Sequence, residues 1–338
     1  MDLVETYRAI RPAVVAFMPK YLPVLGPNSP PPEVPPIVGT GFILADGLVA
    51  TNAHVTEKLM RLPMPKDAPK GDWPFYAVLF HLIEEGKVPS APDGGMGRIQ
   101  LEVLGVFNVG DIELSKEGHY YGSRRPDFAI VHVKAKGLPS IKLSPDTSLL
   151  REGAEIATVG YPMGTDTLTA PGWLHHIGPT LQRGIISAVL PFSCKAPHSF
   201  VIDLMSLGGA SGSPVFPAQD PRAIGILNAG LQDVIRTFAF DHLAAPQLRD
   251  YAHINTNLSY VVPAYLLDPM LQTIVNDPRF ALPPDTKCLE ELIQAGTFEC
   301  RKKPGEHNEP PDPGSITQAK EGTIEVGTVR VDVKLRPS

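Results

Sequence analysis

Short apolar runs of strand length recur along most of this chain, and they limit the fold more than any other feature. The runs are separated by Gly, Pro, Asn and Asp, and many are rich in β-branched or aromatic residues; examples are GFILA, FYAVLFHL, DFAIVHV, LQRGIISAVL and FVIDLM. Regularly spaced strands with turn signals predict a β-barrel or β-sandwich. Helical patterns are few, the clearest at Leu3–Ile10 and Ala264–Val275. We therefore predict an all-β fold with few helices.

Composition excludes several classes of protein. With 43% hydrophobic and 20% charged residues, the chain is globular rather than disordered. It has 30 Lys and Arg against 36 Asp and Glu and no basic run, which argues against nucleic-acid binding. No apolar stretch reaches the roughly 18–20 residues that a membrane span needs. An acidic start without a signal pattern and an odd count of three cysteines predict a cytoplasmic protein.

Proline is over-represented, and its distribution is uneven. It makes up 37 of 338 residues, about twice the usual ~5%. The excess lies in residues 19–36, in the segment that follows residue 61, and in the C-terminal tail. Such segments lack backbone donors and favour extended loops. We predict long surface loops at these places.

Three segments carry residues suited to catalysis. The first, GTGFILADGLVATNAHV, is predicted to form two strands around a tight turn and ends in His54. The second, DFAIVHVK, is a strand that opens with Asp127. The third, GGASGSP, is a turn of small residues with Ser211 at its centre. Taken singly, each residue has a plainer explanation as a polar histidine, a strand cap or a loop serine.

Together these residue types suit nucleophilic catalysis. A serine hydroxyl is a weak nucleophile near neutral pH, so it needs a base within hydrogen-bond reach and a buried group that fixes the tautomer of that base. His54, Asp127 and Ser211 supply these types in the order His, Asp, Ser. The glycines before Ser211 allow a tight turn whose Gly209 and Ser211 amides can meet at one point, as an oxyanion hole requires.

Two other chemistries fit the sequence poorly. His175 and His176 are adjacent and would face opposite sides of a strand, and Cys194-x₃-His198 has no second half, so we predict no metal and no cofactor. Histidines that follow the serine would suit an α/β-hydrolase. That fold requires G-x-S-x-G, however, and Ser213 stands at the fifth position.

With their flanks, the three segments resemble trypsin-like (chymotrypsin-fold) serine proteases, and specifically the HtrA/Do branch. That branch shows G-S-G-F-I, V-T-N-A-H-V, D-L-A-V, A-I-G-N-P-F-G, G-I-V-S-A and T-D-A-x-x-N-x-G-N-S-G-G-P. The counterparts in this chain are Gly39–Ile43, Ala50–Val55, Asp127–Ile130, Thr158–Gly164, Gly184–Ala188 and Ile202–Pro214. The resemblance runs from about residue 5 to 267. It implies two perpendicular six-stranded antiparallel β-barrels, about 11–150 and 151–263, with the triad in the cleft between them.

The chain departs from that family at informative places. Ala210 replaces the family Asn and also the Asp that secures an activated N-terminus in secreted digestive proteases, so no activation cleavage of that type is expected. Ser213 replaces a glycine. His54 and Asp127 are 73 residues apart, more than in typical HtrA proteins, and the excess lies near 61–98 and 111–125. We predict that these insertions are either loops at the rim of the active site that control access to it or surface loops without a role in activity.

Specificity can be predicted from the positions that would line the pocket. The position that carries an acid in Lys/Arg-specific relatives holds Met205, and the position that carries a histidine in glutamyl-specific relatives holds Leu227. A buried charged side chain without a partner is unfavourable, so a small or medium apolar residue is predicted before the cleaved bond. The predicted substrate-binding residues are Met205, Ser206, Leu207, Leu227, Asn228 and Ala229.

The sequence therefore predicts a serine endopeptidase acting on proteins or peptides, in a domain spanning 1–268. The remaining 269–338 form an appendage with a helix, a Pro-rich linker and a short β-element, in which no PDZ carboxylate-binding loop is recognisable. The resemblance implies trimer formation through residues 1–18, and loops or tail could instead bind a regulatory partner. The alternative is a latent protease-fold protein whose cleft is gated.

Overall fold

A computed structural model of the chain describes most of its residues. The described ranges are 1–21, 36–84, 86–87, 95–108, 126–162, 169–170, 174–175, 178–191, 196–204, 206–239, 247–294, 321–326 and 329–334. They form two β-lobes joined by a shared core, with four short helices. None of the described helices has both the length and the apolar character needed to cross a bilayer.

The first lobe is a seven-stranded antiparallel sheet. Its strands are β1 Val14–Pro19, β2 Gly39–Ala45, β3 Leu48–Thr51, β4 Phe75–Ile83, β5 Gly95–Leu101, β6 Val103–Asn108 and β7 Ala129–Val133. Their order across the sheet is β5-β4-β1-β2-β3-β7-β6. β1, β2 and β3 are almost wholly buried, as continuous apolar runs in the centre of a sheet should be.

The predicted hairpin between β2 and β3 is present. Ala45 pairs with Leu48, which leaves Asp46 and Gly47 as a two-residue turn. Gly47 has φ +72°, a conformation that a residue with a Cβ adopts only at a cost. The Asp46 carboxylate also accepts a hydrogen bond of 2.8 Å from the Gly137 amide, and this contact ties the turn to the segment after β7.

The second lobe is a closed six-stranded barrel. Its strands are β8 Glu155–Gly160, β11 Thr180–Leu190, β12 Ser199–Ile202, β13 Pro214–Pro217, β14 Gly225–Ala239 and β15 Gln247–Pro263, in the order β11-β12-β15-β14-β13-β8. Two very short strands, β9 Thr169–Ala170 and β10 Leu174–His175, pair separately. β14 and β15 pair with each other as far as Ala239 and Gln247, which makes them a long hairpin.

Four helices complete the described fold. They are α1 Leu3–Ile10, α2 Ala53–Met60, α3 Asp268–Val275 and α4 Leu289–Gln294. α1 and α3 agree with the predicted helices, and α1 begins with a capping box between Asp2 and Glu5. α2 was not predicted, because the sequence leading to His54 was interpreted as a continuing strand. A hairpin of β16 Glu321–Val326 and β17 Val329–Lys334 lies in the C-terminal segment, where the sequence predicted a short β-element.

One hydrophobic core joins the two lobes. The larger cluster of buried side chains contains most of the first lobe and also Val159, Phe216 and Ile226 of the second. A smaller cluster fills the second barrel around Phe200 and Ile202. Because the first cluster is continuous across both lobes, residues on their facing surfaces are held at fixed relative positions.

The segment after the second barrel returns to the first lobe. The rings of Phe280 and Phe107 lie 4.1 Å apart between centroids, and Lys134 forms a 2.6 Å ion pair with Asp285. Leu292 of α4 belongs to the larger core cluster. Residues 268–294 therefore pack directly on the protein's first lobe.

The fold class predicted from the sequence is confirmed, with one difference in strand number. The second lobe is the expected six-stranded barrel. The first lobe has seven strands instead of six, and in the described residues its outer strands β5 and β6 do not pair with each other. Part of the insertion between His54 and Asp127 forms β4 and β5, since its apolar runs are long enough to extend the sheet. The second part of that insertion, near 111–125, lies outside the described residues.

Candidate active site

His54 lies in the first turn of α2, directly after β3. Asn52 is the N-cap of this helix, but its side chain makes no capping bond. The free backbone N–H of His54 instead donates to Asp127 Oδ1 at 2.9 Å. The first amides of a helix need such acceptors and favour a negative charge, so the carboxylate stabilises the start of α2.

The same carboxylate also binds the imidazole ring. Asp127 Oδ2 lies 2.5 Å from His54 Nδ1. Asp127 is in turn positioned through its backbone, because Asn52 Nδ2 donates to its carbonyl at 2.7 Å. The His54 and Asp127 side chains are 46% and 24% exposed, so the ring is accessible from solvent while its partner is largely covered.

This contact sets the tautomer of His54. A carboxylate can only accept, so the ring must carry its proton on Nδ1. The lone pair of the neutral ring then lies on Nε2, on the side away from Asp127. The arrangement leaves Nε2 able to accept a proton from a substrate or from another side chain.

Ser211 lies in a tightly bonded turn, residues 206–214, which we call the nucleophile loop. The Gly212 amide donates to the Leu227 carbonyl at 2.8 Å, and the Leu227 amide returns a bond to the Ser213 carbonyl at 2.9 Å. Ser213 Oγ donates to the Ala210 carbonyl at 2.6 Å. These bonds fasten the loop to the beginning of β14.

The loop lies beside the strand end that leads to His54. The Thr40 amide of β2 donates to the Ser211 carbonyl at 2.8 Å. A Cβ on Gly212 would fall 1.9 Å from the Thr40 carbonyl oxygen and 2.5 Å from Thr51 Oγ1. Thr51 ends β3, three residues before His54. Ser211 and His54 are therefore held on neighbouring segments of the two lobes.

The Ser211 hydroxyl itself donates to the Asn228 carbonyl, at 2.8 Å. Asn228 lies at a register shift between β14 and β15, so its carbonyl is not part of the regular ladder. The hydroxyl is therefore hydrogen-bonded to a backbone acceptor in this structure.

The two amides predicted to form an oxyanion hole both lie in the nucleophile loop. Gly209 has φ +93° and is buried, and Ser211 follows two residues later. In the described part of the chain, no protein acceptor bonds the N–H of either residue. Two amides in one tight turn without internal partners are what binding of an external anionic oxygen requires.

The residues predicted to contact substrate have different surroundings. Ser206 is buried and its amide is bonded to Ser259 Oγ at 3.0 Å, whereas Leu207 is half-buried. The Leu227 side chain is 1% exposed within the second core cluster. Asn228 is half-buried and Ala229 is exposed. Met205 lies outside the described residues.

Sequence reasoning assigned no role to two residues that support the site. Asn52 positions the Asp127 backbone, and Thr40 bonds the nucleophile loop. Both stand in segments that carry the family motifs, but neither type of residue is itself reactive. For metals, no group of three or more His, Cys, Asp or Glu among the described residues is placed to hold an ion.

A two-lobed β-fold with a His–Asp pair on one lobe and a serine in a glycine turn on the other defines the class of chymotrypsin-like hydrolases. The chain belongs to the trypsin-like peptidase family, because the family model described as a trypsin-like peptidase domain matches residues 39–226, more than half of its length. No protein in a search of curated sequences matches it significantly.

The chain is also similar to solved protease structures, among them structures of the HtrA-type protease AlgW. AlgW with a decapeptide is 18% identical with a TM-score of 0.43, over 81% of this chain and 68% of that one. AlgW with a tripeptide is 18% identical with a TM-score of 0.43, over 82% and 64%. The serine endoprotease from Yersinia pestis is 16% identical with a TM-score of 0.43, over 82% and 68%. The chain thus spans about two thirds of these proteins.

Proposed function

We propose that this protein is a serine endopeptidase of HtrA type that uses His54, Asp127 and Ser211 as its triad. The observation that carries the proposal is the 2.5 Å contact between His54 Nδ1 and Asp127 Oδ2, which leaves the lone pair of Nε2 available to accept a proton. A histidine oriented by a carboxylate next to a serine in a glycine turn is the arrangement that activates a serine hydroxyl.

The reaction begins with a rotation of the Ser211 side chain. Its side chain rotates from the Asn228 carbonyl towards His54 Nε2, which accepts the proton as Oγ attacks the carbonyl carbon of the peptide. The developing oxyanion accepts hydrogen bonds from the Gly209 and Ser211 amides. The C–N bond then breaks, His54 delivers its proton to the leaving amine, and a water molecule hydrolyses the acyl-enzyme by the same steps in reverse.

Substrate binding favours that rotation. The Asn228 carbonyl lies at the start of β14, where an extended peptide would pair with the strand through its main chain. A peptide N–H that bonds to this carbonyl competes with the Ser211 hydroxyl for the same acceptor. The bound peptide thus helps to release the nucleophile towards its base.

We propose that cleavage follows small or medium apolar residues. Of the predicted lining positions that the structure describes, none carries a charged side chain: they are Ser206, Leu207, Leu227, Asn228 and Ala229. A charged substrate side chain would lose its hydration there without gaining a partner. Mapping of cleavage sites in a proteome digest tests this: predominant cleavage after Lys, Arg or Glu would contradict it.

The central test is Ser211→Ala, measured by hydrolysis of casein or of a peptide library. We expect kcat/KM to fall by about 10⁴-fold or more, because a triad without its nucleophile retains only binding and the oxyanion hole. Ser199→Ala is the matched control, since Ser199 Oγ also donates to a backbone carbonyl, at 2.9 Å, but on β12. Near-wild-type proteolysis by Ser211→Ala would refute the assignment.

The second candidate is a latent or regulatory protease-fold protein. The observation that favours it is the bond from the Ser211 hydroxyl to the Asn228 carbonyl, in which the single hydroxyl proton is donated to the backbone and not to His54. A fluorophosphonate probe separates the two candidates. Labelling of the folded protein that depends on Ser211 supports the endopeptidase, and absence of labelling supports the latent protein.

A further inference from the structure

Thr40 of the first lobe contacts the nucleophile loop of the second directly. It lies on β2, is fully buried, and uses both its backbone and its side chain there. Its amide donates to the Ser211 carbonyl at 2.8 Å, and its Oγ1 donates to the Gly209 carbonyl at 2.6 Å. Nothing in the chemistry of the triad requires this residue, so its contacts call for a separate explanation.

The Gly209 carbonyl can only accept, so the Thr40 hydroxyl is the donor in their bond, and Thr40 Oγ1 also accepts a second bond. The Tyr161 amide donates to Thr40 Oγ1 at 3.0 Å, so one lone pair of that oxygen is already used. Tyr161 follows β8 of the second lobe, and the hydroxyl therefore links two segments of that lobe through a residue of the first.

Thr40 bonds the carbonyls of Gly209 and Ser211. The peptide planes of these carbonyls flank the plane that carries the Ser211 N–H, one of the two predicted oxyanion amides. The Gly209–Ala210 plane and the Ser211–Gly212 plane are both fixed by Thr40, and the Ala210–Ser211 plane between them carries the Ser211 N–H. A peptide plane turns as a rigid unit. With both neighbours fixed, and with the Ala210 carbonyl held by Ser213 Oγ, the Ser211 N–H has one orientation.

Thr40 also connects this loop to the base. β2 pairs with β3 through Phe42 and Ala50, and β3 leads directly to His54. Thr51 Oγ1 at the end of β3 donates to the Thr40 carbonyl at 2.7 Å. The space around Thr40 is tight, since a Cβ on Gly160 would lie 3.0 Å from its Oγ1. Thr40 thus contacts both β3, the strand that leads to His54, and the loop that contains Ser211.

We propose that Thr40 is a positioning residue that sets Ser211 and its oxyanion amide, on the second lobe, in register with His54 of the first. It does not touch the reacting atoms. Its hydroxyl acts through the peptide planes of the nucleophile loop. The proposal rests on the proposed peptidase function for its kinetic consequence, and on the observed hydrogen bonds for its structural consequence.

The test compares Thr40→Val, Thr40→Ser and Thr158→Val in the full chain. Valine keeps the shape and the backbone amide but removes the hydroxyl, and serine restores it. Thr158→Val is the matched control, because Thr158 Oγ1 is also buried and donates to a carbonyl of the same loop, that of Pro214, at 2.9 Å. That bond lies at the far end of the loop, beyond Ser211.

For Thr40→Val we expect kcat to fall about 10- to 100-fold with KM changed less than about threefold, since a displacement of about 1 Å at such a site costs up to about 10² in rate. Thr40→Ser should recover kcat to within about threefold of the wild type, and Thr158→Val should retain it. A folded Thr40→Val with wild-type kcat would overturn the proposal, and so would an equal loss in Thr158→Val.

Amide hydrogen exchange tests the same contacts without relying on activity. Residues 206–213 should take up deuterium faster in Thr40→Val than in the wild type or in Thr158→Val, and unchanged uptake would overturn the proposal. If Ser211→Ala hydrolyses substrate like the wild type while Thr40→Val loosens the loop, the peptidase assignment fails and the positioning role stands. If Thr40→Val does not fold, Thr40→Ala provides the same comparison.

Discussion

The two halves of the candidate site are held together by different physical means. The base half consists of His54 and Asp127, a charged contact at the surface whose side chains are 46% and 24% exposed. The nucleophile half is a loop around Ser211 that is held by neutral hydrogen bonds to backbone carbonyls and by the close fit of Gly212. One half depends on electrostatics and the other on packing.

This difference explains which part of each half can move. The imidazole is fixed at Nδ1 by one carboxylate, but it is open to solvent on its other side. The loop backbone is immobilised by its neighbours, and only the Ser211 hydroxyl can rotate between acceptors. In the proposed reaction, the base is therefore oriented before substrate binds, whereas the nucleophile needs the rotation of a single bond.

Loss of the carboxylate should have the largest effect on the base half. In Asp127→Asn, the amide NH₂ can face Nδ1, which moves the ring proton to Nε2 and blocks the lone pair that must accept from Ser211. We expect kcat to fall about 10⁴-fold, as loss of the orienting carboxylate does in such triads. Steady-state hydrolysis of a peptide substrate measures this.

The control for that substitution is a carboxylate that also accepts a hydrogen bond from a backbone amide but is not one of the proposed site residues. Asp146 Oδ1 accepts from the Ser148 amide at 2.9 Å, so Asp146→Asn should retain wild-type kcat. If Asp127→Asn were as active as Asp146→Asn, the base half would not depend on the carboxylate, and the contrast between the two halves would be lost.

A substitution at Gly212 tests the nucleophile half. Gly212 has φ +94°, and a Cβ would lie 1.9 Å from the Thr40 carbonyl oxygen. Gly212→Ala must therefore move the loop away from β2. We expect kcat to fall by about 10²-fold or more, since displacement of about 1 Å has effects of that size.

Gly153→Ala separates the strain at positive φ from the clash. Gly153 has φ +82°, but a Cβ there would meet nothing within 4 Å. Both variants should lose about 1–3 kcal/mol of stability from backbone strain, measured by urea denaturation, but only Gly212→Ala should lose activity. Equal kcat values in the two variants would show that the fit of the loop against Thr40 is not required.

The sequence predicted more of the reactive residues than of their supports. The strand pattern and the turn at Asp46 and Gly47 follow from local chemistry, and both are present in the structure. His54, Asp127 and Ser211 were predicted from motifs, and the structure brings the first two into contact across 73 residues. Their catalytic role remains a prediction until Ser211→Ala is measured.

The features that were not predicted depend on contacts between distant segments. The helix that begins at Ala53 was interpreted as strand, because the acceptor for the His54 amide is a carboxylate 73 residues away. The bond between Thr40 and the nucleophile loop joins residues 169 positions apart. A hydroxyl in a buried strand has no periodic or compositional signal, so only the packed structure shows what it holds.

The smallest expected effect concerns a second histidine in the first lobe. His132 on β7 is 4% exposed, its Nε2 has no hydrogen-bond partner among the described residues, and its ring lies 5.7 Å from that of Phe280. Burial lowers the pKa of His132 below its usual value of about 6.5. His132 therefore binds a proton more readily in the unfolded chain than in the folded protein. This difference lowers the free energy of unfolding as the pH falls below that usual pKa.

His132→Leu removes this pH-dependent contribution to stability and leaves the proposed base, His54, unchanged. Between pH 7 and pH 5, the urea midpoint of the wild type should fall more steeply than that of His132→Leu; the half-buried His81, whose pKa burial also lowers, is common to both proteins. The pH dependence of kcat should be the same in both, because His132 is not a member of the proposed triad. Parallel stability curves would show that His132 is protonated in the folded protein. A different pH dependence of kcat in His132→Leu would show instead that His132 influences His54. The base half would then depend on buried residues of β7 as well as on its contact with Asp127.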